Sequence, residues 1–154
     1  MSCFHPRPSI QAPSNQRRFA LTTLNARRGR AAENLSLWFF RQRGFQVLGR
    51  NFNCNVGELD LIVLDPRARL RTIHFIEVKT RLSNAHNPPQ TAVTRSKQKK
   101  IHAAARYWIL KNNPPHAVFL FDIIAIDWPR RGIPRVRWYK NAFFPSDPMG
   151  WRMS

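Results

Sequence analysis

The chain has 154 residues, 43% of them hydrophobic, and its 26 Lys+Arg against 8 Asp+Glu give a formal net charge of +18. That length suits one domain with a real core, and the charge points to a polyanionic partner, nucleic acid first, with a generally basic or ribosome-associated protein as the plainer reading. Two cysteines, Cys3 and Cys54, show neither metal spacing nor a disulfide framework, which excludes a disulfide scaffold and suits a reduced, cytoplasmic setting. No apolar run approaches the roughly 18–20 residues of a membrane helix, so no membrane partner is expected.

Residues 1–26 contain Pro6, Pro8 and Pro13 and no acid. They are predicted to be a disordered basic arm; an organelle transit peptide is the competing reading. Arg17, Arg18, Arg27, Arg28 and Arg30 would extend a phosphate-binding footprint. A single domain is expected over 27–145, followed by a mobile tail at 146–154.

A helix is predicted over 30–43, with Ala31, Leu35, Trp38 and Gln42 as its stripe. Leu37, Phe39 and Phe40 make it apolar almost all round, so it should be largely buried. Gly44 ends it as a C′ glycine, and Glu33 in its first turn favours the helix dipole. A strand follows over 45–51, then a turn over 53–57.

Next comes the stretch GELDLIVLDPRARLRTIHFIEVKTR, residues 57–81. Leu59, Leu61 and Val63 alternate with Glu58, Asp60 and Ile62, as in a strand. Asp65-Pro66 opens a turn. In the second strand Ile73, Phe75, Glu77 and Lys79 share one face, with His74, Ile76 and Val78 on the other. With the turn centred near Ala68-Arg69 and no bulge, Asp60 faces Glu77 and Glu58 faces Lys79. Opposed side chains have Cβ atoms about 4.5–5.5 Å apart. Two carboxylates at that spacing call for a cation or a proton between them, and with Lys79 beside them they can hold Mg²⁺ and stabilise a phosphoryl transition state.

Residues 82–89 read as a polar loop carrying a solvated His86. A second helix is predicted over 91–112, striped by Ile101, Ala105, Trp108 and Ile109. Lys97 lies one turn before Ile101 and points to the core side, with Arg95, Lys99 and Lys100 around it. Cations there oppose the dipole, which a bound phosphate would justify; the alternative is a snorkelling lysine. Residues 117–128 read as a central strand buried on both sides, with Asp122 paired to an Arg or Lys of the preceding helix. RVRWYK, residues 135–140, reads as an edge strand whose basic face and interleaved aromatics suit phosphate contact and base stacking.

Taken together, Gly29 with Glu33, Asn51, the GELDLI block at 57–62, the FIEVKTR block at 75–81, Lys97, Phe121-Asp122 and Ala142-Phe143 resemble the YraN-like family of uncharacterised bacterial proteins. That family falls within the restriction-endonuclease-like, PD-(D/E)xK superfamily. The resemblance spans about residues 28–144; it departs at Ala32, where a glycine is usual, and at Ser36, where an alanine is usual. It implies an α/β fold, a restriction-endonuclease-like core with a central mixed β-sheet flanked by helices in αβββαββ order. It further implies that Asp60 and Glu77 bind Mg²⁺ or Mn²⁺, that Glu33 completes the metal shell, and that Lys79 orients or activates the attacking water. Lys97 would contact phosphate, with Arg95, Lys99, Lys100 and Arg81 adding to the nucleic-acid surface and Glu58 as an accessory acid. The expectation is a metal-dependent endonuclease hydrolysing DNA by in-line attack of water on phosphorus. A non-catalytic nucleic-acid-binding module retaining the nuclease scaffold is the alternative, and an accessory protein of ribosome or RNA metabolism a third reading. A homodimer would suit a two-strand cutter, though no particular residue demands it.

Overall fold

The computed structural model describes residues 14–82, 93–129 and 131–144, with side chains for 25–80, 93–129 and 131–144. The elements are α1 (Ser14–Gln42), β1 (Gln46–Cys54), β2 (Gly57–Asp65), β3 (Arg71–Leu82), α2 (Arg95–Asn112), β4 (Ala117–Trp128) and β5 (Arg135–Tyr139). The strands form one mixed sheet in the order β1-β2-β3-β4-β5, in which only β3 and β4 run parallel. Helix α1 covers one face and α2 the other. This is the expected α/β architecture in αβββαββ order.

Helix α1 starts much earlier than expected. From Ser14 to Arg28 the sequence holds no proline or glycine and includes four Arg, two Leu and two Ala, which are strong helix formers. The part of the presumed arm from residue 14 is therefore helical, and residues 1–13 lie outside the described residues. The face of α1 also differs. Ala32, Ser36 and Phe40, spaced four apart, are fully buried, whereas Ala31 and Gln42 are exposed and Trp38 is 58% exposed. The small Ala32 and Ser36 let the helix approach the sheet, and the Ser36 hydroxyl donates to the Ala32 carbonyl at 2.8 Å. Gly44, at φ 75°, ends the helix. The Phe45 amide donates to the Phe40 carbonyl and the Gly44 amide to that of Arg41, a Schellman closure, with the rings of Phe40 and Phe45 in edge contact across it.

On the α1 side, Phe40, Phe45, Leu61, Val63, Ile76 and Ile124 make the core. On the α2 side, Leu59, Ile62, Phe75, Ile101, Trp108 and Phe121 belong to a larger one. Leu59 and Leu61 are two residues apart yet lie in different cores, which a regular strand forbids. The same switch occurs on β1. Arg50 donates to Asn34 of α1, but Phe52 packs on the α2 side. Between them Asn51 sits at φ 49°, and across from it, between the pairs Arg50–Leu61 and Phe52–Leu59, stands Asp60. The expectation that Leu59 shares a face with Leu61 and Val63 therefore fails at this kink.

From Leu61 to Asp65 the β2–β3 register is the predicted one, with Leu61 opposite Ile76 and Asp65 opposite Thr72, but the predicted pair Asp60–Glu77 falls just beyond the last paired residues. Strand β1 continues to Cys54, leaving Asn55-Val56 as a two-residue turn. Helix α2 begins at Arg95 rather than Thr91 because Thr94 caps it, its side chain accepting from the Lys97 amide at 3.3 Å. The expected loop with His86 lies largely in 83–92, outside the described residues, as does the tail from 145.

Asp122 is fully buried but not paired with a helix cation. Its Oδ2 accepts from Trp138 Nε1 at 2.8 Å and lies 2.7 Å from His74 Nδ1, while Oδ1 accepts from the Asn141 amide at 2.8 Å. This knot ties β3, β4 and β5. It also corrects the reading of β5 as a stacking platform: the Trp138 ring packs inward against Phe39, Phe40 and Phe45, Tyr139 packs against the opposite core, and Arg137 is paired with Asp127. The strand is at the sheet edge, as expected, but its aromatics are structural.

Gly57 touches α2. A Cβ there would collide with the Lys100 carbonyl, so β2 and the helix backbone meet with no room for a side chain. Gly57→Ala should destabilise the protein by roughly 1–3 kcal/mol, the usual range for overpacking; a thermal melt that overlays the wild type would contradict this.

Candidate functional site

Towards the N-terminal end of β2, beyond the last paired residues Leu61 and Ile76, β2 and β3 leave regular pairing. The Asp60 carboxylate fills the gap: its Oδ2 accepts from the Val78 amide at 2.7 Å. The side chain thus takes up a backbone donor that the ladder no longer satisfies. Glu77, on the α2 face of β3, is only 3% exposed. Its Oε1 lies 2.8 Å from Lys79 Nζ and 3.6 Å from Lys97 Nζ. Among the described residues its buried Oε2 has no hydrogen-bond partner, which is unusual for a carboxylate oxygen out of water.

Lys97 is carried in by the first turn of α2 and is one-quarter exposed. It bridges Glu77 and Glu58, whose Oε1 lies 2.5 Å from its Nζ. The predicted Glu58–Lys79 pairing is replaced by this contact, because Lys79 turns to Glu77 instead. The electrostatics follow from the layout. Burial, then the charge of Glu77, pushes the Asp60 carboxyl up to about 7, against the pull of the Val78 amide. The Lys97 hydrogen bond and charge hold Glu58 below the ordinary carboxylate value. Burial works against the Lys97 ammonium, but Glu58 and Glu77 outweigh it and raise its proton affinity.

The structure thus brings together Asp60, Glu77, Lys79, Lys97 and Glu58. Glu33 stands apart on α1, its Oε2 accepting from Asn51 Nδ2 at 3.0 Å; it touches the site through the residue opposite Asp60. Arg95, Lys99 and Lys100 are exposed on the first two turns of α2, and the Arg81 side chain lies outside those described. Sequence reasoning missed the part of Asn51: its positive φ, a conformation Asn tolerates better than most residues, is the local mark of the kink that presents Asp60. Among the described residues, no three His, Cys, Asp or Glu side chains gather closely enough to hold a metal ion by themselves. Two carboxylates, one with a buried oxygen that no described group satisfies, nevertheless fit a hard divalent cation, since Mg²⁺ commonly takes one or two protein carboxylates and fills its shell with water and phosphate oxygens. No described helix is long and apolar enough to cross a membrane.

Fold and site together define an α/β sandwich with a partly buried acid–lysine cluster where two central strands part. The chain belongs to the family described as Uncharacterised protein family UPF0102, which residues 32–126 match. That span holds every acid and lysine of the cluster. Among its relatives, a UPF0102 protein of Geotalea daltonii is 39% identical over 115 residues, covering 75% of this chain and 87% of the relative. One from Bifidobacterium longum is 36% identical over 117 residues, covering 75% and 91%. One from Clostridium perfringens is 38% identical over 96 residues, covering 62% and 75%.

Proposed function

We propose that this protein is a divalent-metal-dependent phosphodiesterase that cuts DNA. The observation that carries the reading is the buried Oε2 of Glu77, unpartnered among the described residues, beside an Asp60 whose carboxyl is driven up by desolvation and by Glu77 itself. Two carboxylates in that relation are costly without a cation. Asp60 and Glu77 would hold Mg²⁺ or Mn²⁺, which when bound would supply charge compensation and polarise a phosphoryl oxygen.

The chain's own groups account for the rest. Lys79 is tethered to Glu77 and cannot wander, so its ammonium offers a fixed positive charge to the scissile phosphate and a donor to orient the attacking water. Lys97 is held at the same carboxylate from the helix side and offers a second cation to phosphate. The Val78 amide donates to Asp60 and holds the orientation of its carboxylate. Arg95, Lys99 and Lys100 extend the phosphate track along α2, and the net charge of +18 draws the strand in.

The test is incubation with branched, nicked and linear DNA in Mn²⁺, beside Asp60→Ala and Lys79→Ala. Cleavage by the wild type and its loss in both variants is the expected result. Equal DNA binding by all three with no cleavage anywhere would leave a non-catalytic binding module on a nuclease-like scaffold.

Glu33 enters this reading through Asn51 rather than by direct contact. Glu33→Gln keeps an acceptor for the Asn51 amide and should retain cleavage within a few-fold, whereas Glu33→Ala should lose about tenfold or more, since loss of a supporting partner commonly costs 10–100-fold. Equal losses in the two variants would instead mark the Glu33 charge itself as the need, as for a metal ligand.

A further inference from the structure

A cleft of about 400 Å³ opens beside the acid–lysine cluster, between the β1–β2 turn and α2. It shares Glu58 and Lys97 with the cluster, so the two are continuous. Gly57 is part of its lining, and no side chain could fit there against the Lys100 carbonyl. The remaining lining includes Asn53, whose Nδ2 donates to the Asn51 carbonyl at 3.3 Å, the exposed Asn55, the half-exposed Val56 and Lys100. The only acid among the lining residues, Glu58, is neutralised by Lys97.

We propose that this cleft receives one unpaired nucleotide of the strand being cut, next to the scissile phosphate; the proposal rests on the nuclease reading above. The volume lies at the low end of small-molecule sites, roughly 300–1,000 Å³, and matches a single nucleotide rather than a duplex. The half-exposed Val56 side chain suits the face of a base, and the Asn55 amide offers both a donor and an acceptor to a base edge. Lys100 stands ready for the flanking phosphate. A base within a duplex stays stacked and paired and exposes only its groove edges, so it cannot enter. A nuclease with such a subsite prefers strands with unpaired nucleotides, as at flaps, gaps or junctions, over continuous duplex.

The preference is measurable without cleavage. Fluorescence anisotropy in EDTA at fixed salt compares a labelled ten-nucleotide oligothymidine with a blunt hairpin duplex. Fixed salt matters because a chain this basic binds any DNA. The wild type should bind the single strand about tenfold more tightly than the hairpin. Val56→Glu, which places a carboxylate in the cleft, should erase most of that ratio while changing hairpin affinity less than about twofold. Asn55→Ala is the milder companion, and a melting curve for each confirms folding. Equal affinity of the wild type for both oligonucleotides, or a ratio untouched in both variants, would overturn the subsite. Cleavage of DNA with no preference for unpaired strands removes the subsite and leaves the nuclease; the preference without any cleavage removes the nuclease and leaves a single-strand binding cleft.

Discussion

Asp60→Asn is expected to abolish DNA cleavage and, in the same protein, to raise thermal stability at about pH 8 in the absence of divalent metal. The stability effect follows from linkage. The Asp60 carboxyl is raised from 3.8 to about 7 in the folded protein. Between those values the native state keeps a proton that the unfolded chain has released. Its contribution is fully present below about 3.8 and is lost as pH rises through about 7. Moving from about pH 5 to pH 8 should therefore cost the wild type roughly 2–3 kcal/mol at this group. The asparagine still accepts from Val78 but never ionises, so the variant loses that slope. Mn²⁺ should restore the wild type at pH 8, by about 2.7 kcal/mol at a hundredfold excess over its Kd, and leave Asp60→Asn largely unmoved. The same Mn²⁺ shift in both proteins would place the cation elsewhere.

Asp122→Ala is expected to be the most damaging single change outside the site. It leaves Trp138 Nε1 and the Asn141 amide without their acceptor, and His74 Nδ1 without its partner, in an interior where Asp122 itself is 0% exposed. Buried donors stranded in this way cost roughly 1–3 kcal/mol each, and breaking such a charged cluster about 3–5 kcal/mol in all. For a domain of this size, that lowers Tm by roughly 10–15 °C. Asp122→Asn keeps one acceptor oxygen and should fall between. Urea denaturation reads both; an unchanged midpoint for the alanine variant would mean that the knot does not contribute to stability.

How much of this was visible in the sequence depended on whether the deciding partner was near in the chain. The β2–β3 register was legible because Asp65-Pro66 fixes a turn, and once a hairpin's centre is known its pairing follows. Lys97 was legible because one helical turn separates it from Ile101. The buried face of α1 was not. Apolar residues surround that helix, and the choice of Ala32, Ser36 and Phe40 over Trp38 is made by a sheet that the local sequence does not describe. Asp122 announced a need for a partner, but its partners come from β3, β5 and the turn at Asn141, all distant along the chain. The face of Leu59 was misjudged because alternation assumes a regular strand, and Asn51 breaks it. At the candidate site the residue types were legible and the hand-offs between them were not: Lys79 chooses Glu77, Lys97 chooses Glu58, and Glu33 works on Asn51.

The parallel pairing of β3 with β4 gives the molecule an assembly order. Strands β1, β2 and β3 join through short turns, and such hairpins close in about 1–10 μs. β4 can dock on β3 only after α2 and its flanking segments have crossed the sheet, and non-local closures of that kind are slow. Asp60 and Glu77 both belong to the early meander, while Lys97 arrives with the late helix. The nascent domain therefore passes through a stage in which its two mutually repelling acids are already neighbours and one of their two neutralising cations is still in transit. Refolding should accordingly run faster when that stage is acidic or supplied with a divalent ion.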